Sequence, residues 1–149
     1  IVDVFCTRCP NPCPTMTRNM KKMQDAYKKN DTLIHFISFS VDPARDSVEA
    51  LKRYADKYGV KHNNWWFLTG EKQAIYDLAF NEFKAAVVDG GEVDTSFLHT
   101  NKFYLLDKKR VIRGWYDGTD SAALSKLARD ISLLILEKDK TKKRNLFRK

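Results

Sequence analysis

The segment Leu33 to Val41, Leu-Ile-His-Phe-Ile-Ser-Phe-Ser-Val, has almost no polar interruption and reads as a buried strand. A strand of this kind needs neighbours on both sides, and the surrounding sequence supplies them in alternation. Residues 1 to 6 form a short apolar strand, and Pro14 suits the first turn of a helix running to about Asn30, because its missing N–H costs nothing there. Asp46 and Glu49 give a capping-box-like start to a second helix that reaches Tyr58 and stops at Gly59. Trp65 to Leu68 is a short strand, with Trp65 and Trp66 facing opposite sides, and Glu71 to Phe80 is a third helix. Phe97 to Leu106 and Val111 to Tyr116 read as a hairpin turning at Asp107-Lys108-Lys109. Asp120 to Glu137 closes the series as a helix, with Leu124, Leu127, Ile131, Leu134 and Ile135 at helical spacing.

Strand, helix, strand, helix, hairpin and closing helix describe an α/β layer fold of the thioredoxin-like kind, a central mixed sheet flanked by helices. At 149 residues the chain is one domain large enough to fold without staples. The formal charge of +8 is concentrated at one end: residues 138–149 hold seven Lys or Arg and one Asp, a net of +6, which leaves +2 for the rest. The expected division is a folded domain over 1–137 and a basic, solvated tail over 138–149. No nucleic-acid motif accompanies the tail, so nucleic acid is not an expected partner. No apolar run approaches the roughly 20 residues that span a bilayer. The opening Ile1-Val2-Asp3-Val4-Phe5 reads as the interior of a domain, and an N-terminal segment with an export signal or anchor is expected ahead of it.

The chemistry concentrates in Phe5-Cys6-Thr7-Arg8-Cys9-Pro10-Asn11-Pro12-Cys13-Pro14. Cys9 and Cys13, three residues between them, can form a disulfide or grip a soft metal. Both reactions begin from thiolate, which the N-terminus of the following helix and the nearby Arg8 would favour. The alternative is a pair of buried apolar thiols, and the prolines at 10, 12 and 14 argue for an exposed turn instead. Cys6, inside the strand, reads as a small buried hydrophobe rather than a third ligand or resolving thiol. Met16, Met20 and Met23 form one helical stripe and read as core, with Met16 alone near enough to Cys13 to count as an additional ligand. His35 and His62 read as structural or solvated. The chain lacks a G-x-S-x-G elbow, a Gly-rich phosphate loop and an H-E-x-x-H helix, so hydrolase, nucleotide-binding and zinc-protease chemistry lack their parts.

These residues also carry a resemblance. Thr7 to Pro14, Ile37-Ser38-Phe39-Ser40-Val41-Asp42-Pro43-Ala44-Arg45-Asp46, Phe67-Leu68-Thr69-Gly70, and His99-Thr100 before Phe103-Tyr104-Leu105-Leu106-Asp107 and Ile112-Arg113-Gly114 occur in the order found in the SCO/SenC family. The chain resembles these thioredoxin-fold, membrane-anchored proteins, which help to assemble the dinuclear copper centre of cytochrome c oxidase. The resemblance implies that part of the family's N-terminal region, its anchor included, is absent from this sequence. It further implies copper, Cu(I) or Cu(II), bound by Cys9, Cys13 and His99; thiolates favour Cu(I), and an added imidazole accommodates Cu(II). Without the resemblance, His99 would be an ordinary loop histidine. Asp42, Arg45 and Asp46 match the family's acidic-proline turn and are expected to cap the second helix and pair charge near the site.

Two functions from different classes follow. One is a copper-binding assembly factor that passes its metal to the copper-bearing subunit of cytochrome c oxidase and exchanges with other copper chaperones. The other is a thiol-disulfide oxidoreductase in which Cys9 and Cys13 form the redox pair and reduce the cysteines of the partner's copper site; catalysis in the strict sense is not expected. The expected location is membrane-anchored, facing the periplasm or, alternatively, the mitochondrial intermembrane space.

Overall fold

A computed structural model describes residues 1–9, 12–83, 87–88, 97–98 and 100–137. The basic tail, 138–149, lies outside the described residues. Five strands make the main sheet: β1 (Val2–Phe5), β2 (Phe36–Ser40), β3 (Trp65–Leu68), β6 (Lys102–Leu106) and β7 (Ile112–Asp117), in the order β3-β2-β1-β6-β7. β1, β2 and β3 run parallel, while β6 is antiparallel to β1 and β7 to β6, so the sheet is mixed. The parallel half is the product of two strand–helix–strand crossovers, and the hairpin supplies the antiparallel half. A small second sheet, not anticipated from sequence, pairs β4 (Val87–Val88) with β5 (Phe97–Leu98). Phe97 to Leu106 is therefore two strands rather than one.

Strand alternation puts Asp3, Phe5, Phe36, Ser38, Trp65, Phe103 and Leu105 on one face. That face is covered by α1 (Cys13–Ala26), α2 (Val48–Lys57) and α4 (Ser121–Leu136), whose Met16, Met20, Met23, Ala55, Leu127 and Ile131 complete one buried cluster. The methionine stripe is thus core, and Met16 packs here and not in the cluster that holds the cysteines. On the opposite face, α3 (Lys72–Asp77) and the π-helical turn Leu78–Glu82 that continues it bring Ile75, Ala79 and Phe83 toward the sheet.

Several boundaries move from their sequence expectations for physical reasons. Leu33 is 61% exposed and β2 begins only at Phe36, because Leu33 and Ile34 close a turn by donating their N–H groups to the Asn30 carbonyl. His35 is exposed just before that strand and stacks on Trp66, while Trp65 is fully buried. Ile135 lies on the outer side of α4 at 43% exposure, so the apolar stripe of that helix ends with Leu134. Gly59 takes a left-handed φ of 65° just past the end of α2, the conformation that glycine adopts at least cost.

One polar side chain interrupts this packing. Asp3 is 2% exposed, lies on the face covered by α1 beside Ser38, and its Oδ1 has no hydrogen-bond partner. Burial pushes its carboxyl from the ordinary 3.8 up to about 7, against a partial lowering by the Ser38 hydroxyl. The folded protein therefore holds this proton more tightly than the unfolded chain does, and stability is greatest below about pH 4 for this group and is lost as pH rises toward 7. Asp3→Asn, a neutral isostere, should remove that slope. In urea denaturation at pH 5 and pH 8, the wild type should lose roughly 2–4 kcal/mol more between the two values than the variant does. Equal losses would show that Asp3 is already ionised in the fold.

Candidate metal and thiol site

The cysteines stand where β1 ends and α1 begins. β1 leaves the sheet at Phe5, the chain turns with the Cys9 N–H donating to the Cys6 carbonyl at 3.4 Å, and α1 starts at Cys13. Pro14 occupies the first helical turn, as expected. All three cysteines are buried, at 1%, 7% and 5% exposure for Cys6, Cys9 and Cys13, in one cluster with Val4, Phe5, Val41, Leu51, Tyr54, Ile75 and Ala79. The prolines therefore do not place the thiols in solvent.

Cys6 and Cys9 are joined in a disulfide, with Cα atoms 5.3 Å apart, and Cys13 is the free thiol. Cys6 is as buried as expected, but it lies one residue past the end of β1 rather than inside the strand, and it is a bonded partner and not a passive hydrophobe. Cys6-Thr7-Arg8-Cys9 is a C-x-x-C sequence overlapping the C-x-x-x-C of Cys9 and Cys13, and that overlap is the signal that could have revealed the pairing.

Cys13 does not have the lowered pKa that a helix N-terminus and Arg8 would give it. Burial pushes its thiol from 9.0 up to about 11; the Cys6 N–H directed at its sulfur offsets this in part, and the carboxylates of Asp3 and Asp46 reinforce it. Arg8 is exposed. The Cys13 carbonyl accepts from the Thr17 hydroxyl at 3.0 Å, and Thr17 in turn lies 2.8 Å from the Tyr54 hydroxyl, which ties the start of α1 to α2.

The residue that fixes the cysteine turn is Asp46. It was expected to cap α2, but that role belongs to Ser47, whose Oγ accepts from the Ala50 N–H at 3.2 Å. Asp46 is instead fully buried. Its Oδ1 accepts from the Thr7 hydroxyl, and its Oδ2 accepts from the Thr7 N–H at 3.2 Å and the Ser40 hydroxyl at 2.6 Å. The Asp46 N–H donates to the Asp42 carbonyl at 2.8 Å, and the Asp42 N–H to Ser40 Oγ at 3.2 Å, so the acidic-proline turn and the cysteine turn form one hydrogen-bonded unit. Arg45 and Asp42 form the charge pair expected of that turn, at 3.9 Å.

His99 lies outside the described residues, as do Pro10 and Asn11. Among the described residues no three His, Cys, Asp or Glu side chains form a group that could hold a metal ion. Val2 stands opposite Tyr104 in the antiparallel pair, so β6 enters the sheet at the end of β1 from which the cysteine turn leaves. His62 is exposed in its loop. Soft thiolates suit copper, and Cys9 and Cys13 fit that metal only after the Cys6–Cys9 bond is reduced, since until then one thiol is available.

Asp46→Ala leaves the Thr7 N–H and two hydroxyls without their buried acceptor. It should cost about 3 kcal/mol or more in chemical denaturation, and it should make the native cysteines alkylate several-fold faster after reduction. A variant with wild-type stability and alkylation rates would remove Asp46 from this role.

The chain is similar to known proteins in sequence and in fold. The family model SCO1/SenC matches residues 1–135. The SCO1 protein homolog of Bacillus subtilis is 33% identical over 132 residues, covering 88% of this chain and 68% of that protein. A SCO2-like protein of Rickettsia typhi is 32% identical over 115 residues, covering 74% of this chain and 55% of the relative's length. A SCO1/SenC family lipoprotein from Bacillus anthracis superposes with a TM-score of 0.80 at 32% identity, over 90% of this chain and 79% of that one. BsSco, described as a member of the Sco family of cytochrome c oxidase assembly proteins with a disulfide switch, has a TM-score of 0.76 at 31% identity, over 92% and 80%. ScoI of Bradyrhizobium japonicum, solved with copper bound, shares the fold at 22% identity with a TM-score of 0.69, over 89% and 82%. Among the described residues no helix is long and apolar enough to cross a membrane. With the family match extending from β1 through nearly all of α4, the chain belongs to the SCO1/SenC family.

Proposed function

We propose that this chain is a copper-binding assembly factor, holding one copper ion on Cys9, Cys13 and His99 and passing it to the copper-bearing subunit of cytochrome c oxidase. The observation that carries this reading is the cysteine turn itself, in which Cys9 and Cys13 of a C-x-x-x-C sequence share one buried cluster at the head of α1 while a buried carboxylate grips the adjoining Thr7. Reduced Cys9 and Cys13 would bind Cu(I) as thiolates, and His99 would add the imidazole that accommodates Cu(II). Entry of β6 at this end of the sheet, three residues after His99, supports a role for that histidine. Membrane attachment, facing the periplasm or a mitochondrial intermembrane space, accords with the lipoprotein relative, and the segment 138–149 acts as a basic appendage to the domain.

A second reading is favoured by the Cys6–Cys9 disulfide: a thiol-disulfide oxidoreductase that reduces the cysteines of the partner's copper site. Copper and disulfide compete for the same Cys9 sulfur, so one protein can serve both uses at different stages.

Titration of phosphine-reduced protein with Cu(I) and Cu(II) tests the first reading. One equivalent should bind with a thiolate-to-Cu(II) charge-transfer band. That band should vanish in the Cys9→Ser, Cys13→Ser double variant, and His99→Ala should weaken binding by at least about 10-fold. Tight binding that ignores all three residues, or none in the wild type, would overturn the copper reading.

A further inference from the structure

We propose that Cys6 is a third redox-active thiol that competes with Cys13 for the sulfur of Cys9, so that the chain carries two overlapping dithiol-disulfide couples. The described site holds the Cys6–Cys9 bond already made, with Cys13 as a free thiol in the same buried cluster. Cys6, Cys9 and Cys13 are all buried in that cluster, which keeps the third thiol in the same enclosed pocket of packing as the bonded pair. Cys9 is the member common to the C-x-x-C and C-x-x-x-C spacings, and the Asp46 clamp on Thr7 grips the turn between Cys6 and Cys9 in the disulfide-bonded state.

The exchange is internally balanced. The Cys13 thiolate attacks Cys9 Sγ, the Cys9–Cys13 bond forms as the Cys6–Cys9 bond breaks, and Cys6 leaves as a thiolate that takes up one proton for the one Cys13 released. No external oxidant or reductant enters that step. A dithiol, protein or small molecule, reduces either disulfide by the same chemistry in two exchanges and leaves as its own disulfide. The consequence rests on the copper reading: while Cys9 is bonded to Cys6, the metal set lacks one of its two sulfurs.

Trypsin makes the pairing directly readable, because cleavage after Arg8 separates Cys6, in peptide 1–8, from Cys9 and Cys13, in peptide 9–18. The full chain is oxidised with glutathione disulfide, quenched in acid, alkylated with N-ethylmaleimide, digested and mapped by mass spectrometry. The expected product is peptide 1–8 linked to 9–18 through Cys9 with the alkyl group on Cys13. Cys13→Ala should keep that link, and Cys6→Ala should show only the internal Cys9–Cys13 loop, each variant being checked for native circular dichroism. Wild-type protein that gives only the Cys9–Cys13 loop, with Cys6 fully alkylated, would overturn the proposal even if Cys13→Ala fails to fold. Copper takes no part in the mapping, so that result would leave the metal reading standing.

Discussion

The buried carboxylate of Asp46 joins two segments far apart in sequence, the turn that carries the cysteines and the end of β2. One oxygen accepts from Thr7 and the other from both Thr7 and Ser40, all within hydrogen-bond distance in a site closed to water. A charged group in such a place is tolerated only when its lone pairs are occupied, and here the partners are the backbone and side chain of the cysteine turn. The clamp therefore ties the turn by which the chain leaves β1 to the end of β2.

That packing shapes the sulfur chemistry. A metal-binding or exchange site needs thiolate, but the cluster around Cys13 is apolar and two carboxylates lie near enough to raise its pKa further. The resulting thiol is protected at neutral pH and becomes a ligand or nucleophile only when something removes its proton. A soft cation supplies that drive by binding the thiolate directly. The same enclosure hides Cys6 and Cys9.

The order of strands and helices was legible because apolar runs, Gly59 and the hairpin turn are local signals. The closing helix and Trp65–Leu68 fall where periodicity puts them. Leu33 and Ile135 were misplaced because an apolar side chain continues a pattern beyond the point where a turn or the outer surface of a helix withdraws it from the core. Within the site, spacing alone could not choose between two couples that share Cys9; that choice depends on which sulfurs the turn brings together. Asp46 was hidden for a related reason. An aspartate just ahead of a helix looks like a cap, and its true partners, 39 residues upstream at Thr7 and 6 upstream at Ser40, appear only when β2 is laid beside β1.

The central claim concerns which atoms copper would touch, and X-ray absorption at the copper edge of reduced, Cu(I)-loaded protein reads those atoms directly. The account predicts two sulfurs and one imidazole nitrogen, with the nitrogen lost in His99→Ala and Cys6→Ala leaving the wild-type count unchanged. Three sulfurs without nitrogen would make Cys6 a ligand in place of His99, and a shell of oxygen and nitrogen alone would contradict a thiolate copper site.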